Sequence, residues 1–193
     1  MSAKETTRKE IRFTGFGGQG MVVMGYILGK AASVYDGKEA TMTQSYGPEA
    51  RGGASSTQVI VSDGRIFYPY VTMADFLVCM SQEGYEKYRS KIREDGVLII
   101  DEDLVTLKPG EKTNRIYRIP ATRFAEELGR KIVANIVMLG FFSAFADFVS
   151  EEALRKAIAT SVPKPTVDLN LKAFEKGRSY AIEIKQSVAD IRG

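Results

Sequence analysis

Ile11-Arg12-Phe13-Thr14-Gly15-Phe16-Gly17-Gly18-Gln19-Gly20-Met21 decides how the chain is read: a short strand, a glycine-rich turn, then an apolar helix running to about Tyr35. Gly15, Gly17 and Gly20 have G-x-G-x-x-G spacing. Glycines suit such a turn because it needs φ > 0, and because a Cβ would hold the backbone away from a ligand's phosphates. The following helix aims its free N–H groups and the positive end of its dipole at the same point. The predicted product is an anion cradle suited to a diphosphate. The same glycine pattern also occurs at strand-to-helix junctions that bind nothing, so it carries weight only in company.

With 193 residues and 44% hydrophobic composition, the chain reads as one compact domain over 1–193. Its net charge of +3 comes from 27 basic and 24 acidic residues with no basic run, which favours neither nucleic acid nor a membrane surface as partner. There is no histidine and only one cysteine, Cys79. Imidazole acid/base catalysis, a Ser-His-Asp triad, a His metal site, a cysteine-held cluster and an intrachain disulfide are thereby excluded from these residues. No catalytic and no metal-ligating residues are assigned. Cys79 lies in the apolar run 74–80 and reads as a core residue of a strand. The polar start, with no apolar signal segment, fits a cytoplasmic protein. The apolar stretch 132–149 contains Asn135 and Asp147 and reads as a buried helix rather than a membrane span.

Strands are expected at 39–44, 54–62, 74–80, 97–101 and 114–119, and helices at 82–93, 121–129, 132–149, 151–161 and 167–188. Asp63-Gly64 marks a turn, so 54–68 is predicted as an antiparallel hairpin returning through 65–68. Asp95-Gly96 reads as the turn before the 97–101 strand, Ser150 as a helix N-cap, and Gly177 as a weak point in the last helix. The fold class is α/β: a layered, mostly parallel or mixed sheet with flanking helices, a Rossmann-like glycine-rich first turn and the antiparallel hairpin as an addition.

A nicotinamide or flavin dinucleotide would want an acid about 20 residues beyond the last glycine. Thr43, Gln44, Ser45 and Tyr46 stand there instead. Gly25 to Lys30 is one residue short of a nucleoside-triphosphate loop, and thiamine diphosphate motifs are absent. The loop Ser45-Tyr46-Gly47-Pro48-Glu49-Ala50-Arg51-Gly52-Gly53 carries a second anion-seeking group. Arg51, flanked by glycines, can offer a fork of N–H donors, though in composition it equally suits a surface ion pair with Glu49.

The motifs Gly15-Phe16-Gly17-Gly18-Gln19-Gly20, Tyr46 to Gly53, Ala74 to Val78, Glu127-Leu128-Gly129 and Ala134-Asn135 together resemble the gamma subunit of the 2-oxoacid:ferredoxin oxidoreductases. The resemblance covers nearly the whole chain. It implies oxidative decarboxylation of a 2-oxoacid to an acyl-coenzyme A with reduction of ferredoxin. Thiamine diphosphate and iron–sulfur clusters are then carried by partner subunits: alpha, beta and, where present, a ferredoxin-like delta. By resemblance to the single-chain pyruvate enzymes, it implies coenzyme A at Gly17, Gly18, Gln19, Gly20 and Met21, with Arg51 and Asn135 as further candidates. A buried helical asparagine such as Asn135 also serves simply to satisfy a neighbouring backbone group. The Ser-Tyr-Gly-Pro-Glu-Ala-Arg-Gly-Gly form most resembles the 2-oxoglutarate and 2-oxoisovalerate types, and 2-oxoglutarate is taken as the substrate. An apolar face left for partners implies a hetero-oligomer, and a homodimer or aggregate when the chain is isolated. The rival readings are a free-standing NAD(P)-binding reductase and a purely structural subunit.

Overall fold

The computed structural model of the protein describes residues 7–45, 54–110 and 115–192. Six strands form one sheet in the order β2-β3-β1-β4-β5-β6: β1 Arg8–Phe16, β2 Glu39–Ser45, β3 Ala54–Ser62, β4 Ala74–Cys79, β5 Ile92–Asp101 and β6 Arg115–Ile119. The pairs β1·β4, β4·β5 and β5·β6 are parallel, whereas β3 runs antiparallel to both β1 and β2. The helices are α1 Met21–Lys30, continued by a π-helical stretch Ala31–Tyr35, α2 Gln82–Tyr88, α3 Ala121–Glu127, α4 Ala134–Ser143, α5 Glu151–Ala159 and α6 Val167–Arg192.

The central strands read as unbroken apolar runs because both faces of the sheet are covered. One face sends Ile11, Phe13, Phe76, Val78, Val97 and Ile99 into the main core under α1 and α4. The other sends Leu77, Cys79, Leu98 and Ile100 against Tyr85 and Tyr88 of α2. Phe142 meets Phe13 and Phe76 edge-to-face at 5.5 and 5.2 Å, contacts worth about 0.5–1.5 kcal/mol each beyond their buried area.

All ten residues of α4 are buried, which accounts for a helix that is apolar all round. It lies between the sheet and α6. The 132–149 stretch, expected as one buried helix, contains α4 only to Ser143; turns follow, beginning where the Ser143 hydroxyl donates to the Gly140 carbonyl at 2.6 Å. Gly177 does not interrupt α6, which runs unbroken across it. It is there for close approach: a Cβ on Gly177 would strike the Val137 carbonyl, and one on Gly140 the Phe174 carbonyl.

The sheet corrects two further expectations. Residues 65–68 form no strand, so there is no hairpin over 54–68; the antiparallel partners of β3 are β2 and β1. Asp95-Gly96 is not a turn ahead of the strand but part of β5. Ala74 pairs with Ile92 and Phe76 with Val97, so four residues of β5 bulge opposite Asp75. The predicted 82–93 helix accordingly stops at Tyr88, with one 3₁₀ turn, Arg89–Lys91, leading into the strand. The Ser150 cap stands as read: its hydroxyl accepts from the Ala153 N–H at 3.1 Å, with Glu151 and Glu152 in the first turn.

Candidate functional site

Strands β1, β4, β5 and β6 end at one edge of the sheet, at Phe16, Cys79, Asp101 and Ile119. The glycine turn sits there. A tight turn is closed by the Gln19 N–H on the Phe16 carbonyl at 3.1 Å. The left-handed residues are Gly18, at φ 95°, and Gly20, at φ 76°, the residue that caps α1. Gly15 and Gly17 keep negative or extended φ, so the positive-φ requirement falls on Gly18 and Gly20 rather than on the motif's first two glycines. The hydrogen-bond ladder of α1 begins with Met24 N–H to Gly20 carbonyl at 3.1 Å, leaving the N–H groups of residues 21–23 without intrahelical acceptors. The first turn has no acidic residue and no side-chain cap. Its positive end is therefore open to an anion.

Of the residues assigned to this turn, Gly17, Gly18, Gly20 and Asn135 meet at the site. Ideal Cβ atoms on Gly17 and Gly18 would touch nothing within 4 Å among the described residues, so neither glycine is packed against them. Asn135 opens α4 beneath Gly20. Its amide donates to the Gly20 carbonyl at 3.4 Å and its Oδ1 accepts from the Ile136 N–H at 2.9 Å, so a Cβ on Gly20 would strike it. Gln19 and Met21 turn their side chains inward. Gln19 Oε1 accepts from the Phe16 N–H at 2.6 Å and its Nε2 donates to the Met80 carbonyl at 3.0 Å, stapling the end of β1 to the end of β4. Met21 is in the core, leaving its backbone N–H for the site. Arg51 and the rest of the 46–53 loop lie outside the described residues. The strands that bear the loop do not: Phe16 pairs with Ala54 and Ser45 with Ser56, so it springs from the glycine turn's edge of the sheet.

A cleft of about 230 Å³ opens beside the turn, bordered by Gly18, Gln19, Met80, Thr122 and Lys131. Ile132, 76% exposed, borders both this cleft and a groove of about 440 Å³ that runs between α1, α4 and the start of α6. Val23, Val133, Ile136, Pro163 and Leu169 give that groove apolar walls, with Arg130 at its rim. Lys131 pairs with Glu126 at 3.4 Å. Among the described residues Arg130 meets no acidic side chain and no acidic residue borders either space. A third groove, between α1 and β2, has Lys30 as the one charged residue among the described residues that line it, and that ammonium is spent on the Thr160 carbonyl and the Ser161 hydroxyl.

The sequence reading missed Arg130, Lys131 and Asp101. The first two were visible only as a basic pair between two helices; Asp101 was visible only as an acid ending an apolar strand. Asp101 is fully buried under the cleft. Its carboxylate accepts from the Thr122 hydroxyl at 2.7 Å, the Thr122 N–H at 3.0 Å and the Asp103 N–H at 3.1 Å, which fixes the start of α3. Burial raises its pKa above the ordinary carboxylate range despite these donors. Asp101 thus holds a proton more tightly folded than unfolded. Its contribution to stability is full below the unfolded pKa, about 4, and is lost as pH rises through the raised folded value. Asp101→Asn is expected to flatten that part of the stability profile in urea unfolding; an unchanged slope would place the titration elsewhere.

The topology also bears on the dinucleotide reading. In a dinucleotide fold the strand holding the ribose acid lies beside β1 and ends at the same edge. Here β1 has antiparallel β3 on one side, ending at the opposite edge in Ser62, and β4 on the other, ending in Cys79. Among the described residues no group of three or more His, Cys, Asp or Glu could hold a metal ion, and no helix is long and apolar enough to cross a membrane.

Residues 10–180 match the family model described as pyruvate ferredoxin/flavodoxin oxidoreductase. The chain is 55% identical over 179 residues to the 2-oxoglutarate synthase subunit KorC of Methanocaldococcus jannaschii, covering 92% of this chain and 96% of that one. The keto/oxoacid ferredoxin oxidoreductase gamma subunit of Geobacter sulfurreducens superposes with a TM-score of 0.84 at 44% identity, covering 92% and 98% of the two chains. A 2-oxoglutarate:ferredoxin oxidoreductase from Magnetococcus marinus, solved with 2-oxoglutarate, coenzyme A and succinyl-CoA bound, matches at TM-score 0.79 and 25% identity over 91% of this chain and 31% of that longer one.

Proposed function

The chain belongs to the pyruvate ferredoxin/flavodoxin oxidoreductase family, and on that premise we propose that it is the gamma-type subunit of a 2-oxoglutarate:ferredoxin oxidoreductase, contributing the coenzyme A site. The complex converts a 2-oxoacid and coenzyme A to the acyl-coenzyme A and carbon dioxide, passing two electrons to ferredoxin. These residues do not suit the redox groups themselves: the one cysteine is buried in β4 and there is no histidine. As the resemblance implies, thiamine diphosphate and the iron–sulfur clusters are assigned to the alpha, beta and ferredoxin-like subunits, and the complex is assigned to the cytoplasm.

The observation that carries the reading is the uncapped N-terminus of α1 behind Gly17, Gly18 and Gly20, beside a cleft bordered by Lys131 and a groove bordered by Arg130, with no acid among the described residues that line them. The diphosphate takes the backbone N–H groups of the turn and of residues 21–23. Arg130 and Lys131, with Arg51 from the neighbouring loop, supply charge for the coenzyme's remaining phosphate. The apolar groove past Ile132 takes a flexible acyl-carrying arm. Gln19 and Asn135 act as positioning residues: one fixes the turn to β4, the other braces it from α4.

Titration calorimetry with coenzyme A, NAD and NADP tests this on the assembled complex and on the isolated chain. Coenzyme A is expected to bind. Tight NAD binding without coenzyme A would restore the free-standing reductase, and no ligand even in the complex would leave a structural subunit. The isolated chain is expected to show no oxidoreductase activity and no cluster spectrum; either signal would remove the accessory-subunit reading.

A further inference from the structure

Residues 63–73, between β3 and β4, cross the sheet face opposite α1 and α4, where they pass over β1. They are held by polar groups of the sheet. Gln58 Oε1 accepts from the Val71 N–H at 2.8 Å, the buried Arg12 Nη2 donates to the Val71 carbonyl at 2.9 Å, and Glu10 Oε2 accepts from the Thr72 N–H at 3.2 Å. Arg8 donates to the Tyr68 carbonyl at 3.3 Å, and the Asp63 N–H to the Thr7 carbonyl at 3.0 Å. Inside, Val71 and Ile66 pack on Ile60 and Ala74.

The outer side is unlike an ordinary connection. Phe67 is 85% exposed, the most exposed large apolar side chain among the described residues, and Tyr68 at 57%, Tyr70 at 53% and Met73 at 36% follow it in the same segment. Tyr68 and Tyr70 stand edge-to-face at 5.5 Å, and the Arg65 guanidinium lies 5.5 Å from the Phe67 ring. A loop needs no such display, and several exposed aromatic side chains along one pinned backbone segment are characteristic of an interface. Fixing the strap in advance also lowers the ordering cost of association.

We propose that this aromatic strap is the surface through which the chain docks onto another subunit of its complex, the complementary face being apolar and acidic. The inference rests on the subunit reading above. Charge selects the occupant: no acidic side chain among the described residues pairs with Arg65, so an acid on the partner completes the contact. In a second copy of this chain the strap's own acid, Asp63, is already paired with Lys38 at 2.5 Å, so two like straps bring Arg65 no new acid. The strap's sheet contacts lie roughly 20 Å along β1 from the glycine turn, so docking here leaves the coenzyme cleft open.

The test uses co-expression with the catalytic subunits, capture of the complex and light scattering, on Phe67→Glu, Arg65→Glu and the control Ile182→Glu on α6. Phe67→Glu is expected to weaken assembly more than tenfold. Arg65→Glu should weaken it several-fold and flatten its salt dependence, while Ile182→Glu assembles normally. Circular dichroism, melting temperature and coenzyme A titration of the isolated variants should match wild type, because the changed side chains face solvent. Wild-type assembly of Phe67→Glu would overturn the proposal, as would loss of a homodimer with the mixed complex intact. Failure of the unaltered chain to assemble would overturn the subunit reading together with it.

Discussion

In the assembled enzyme, Gly18→Val is expected to abolish coenzyme-dependent acyl transfer while leaving substrate-driven cluster reduction in place. Two effects act in the same direction. At φ 95° a β-branched residue is strained, at a cost of about 1–3 kcal/mol. Its side chain would also fill the open space beside the turn, blocking the approach of phosphate oxygens to the backbone. Two lost charge-assisted hydrogen bonds, at about 1.5–3 kcal/mol each, amount to roughly a hundredfold or more in apparent affinity. Gly17→Val separates the effects, because Gly17 has no positive φ and an equally open Cβ position; it should block the coenzyme with little loss of stability. Arg51→Ala should lower affinity about tenfold if a charged hydrogen bond is lost. Cluster reduction and acyl-coenzyme A formation are measured separately in each assembled variant. Unchanged coenzyme dependence in both glycine variants would make the turn a packing feature and return the chain to the structural class.

Gly140→Ala and Gly177→Ala are expected to be strongly destabilising. An exposed helical glycine replaced by alanine gains about 1 kcal/mol. At α4·α6 the sign reverses, because each added methyl would meet the backbone carbonyl of the other helix, Phe174 for Gly140 and Val137 for Gly177. Backbone cannot swing aside as a side-chain tip can, so the helices must separate and α4, buried along its whole length, loses contact with α6. Overpacking of this kind costs about 1–3 kcal/mol, occasionally more, and in a chain of this size lowers Tm by ~2–4 °C per kcal/mol. The double variant should lose less than the sum, since one separation relieves both clashes. Urea unfolding and melting curves measure this; a rise in Tm for either single variant would mean that the two helices are not in backbone contact.

What the sequence determined by itself was what neighbouring residues control. The strands at 74–79 and 97–101, the glycine turn, the Ser150 cap and the long last helix were legible because apolar runs, positive-φ glycines and capping hydroxyls act over a few residues. The missing histidines and single cysteine bounded the chemistry without any structure. Tertiary structure decided whatever depends on partners far along the chain. β3 inserts between β2 and β1, replacing the expected 54–68 hairpin and removing the position of a ribose acid; Asp63-Gly64 signals a turn without stating which strand follows. Gln19 looks like a ligand residue beside glycines, yet Met80, 61 positions away, takes its amide. Asp101 meets Thr122 across 21 positions, and Gly177 is explained by a carbonyl 40 residues earlier. Local patterns carry the elements because their causes lie within one turn or one strand; register, buried polar pairing and backbone contact are selected only when the sheet and helices close on one another.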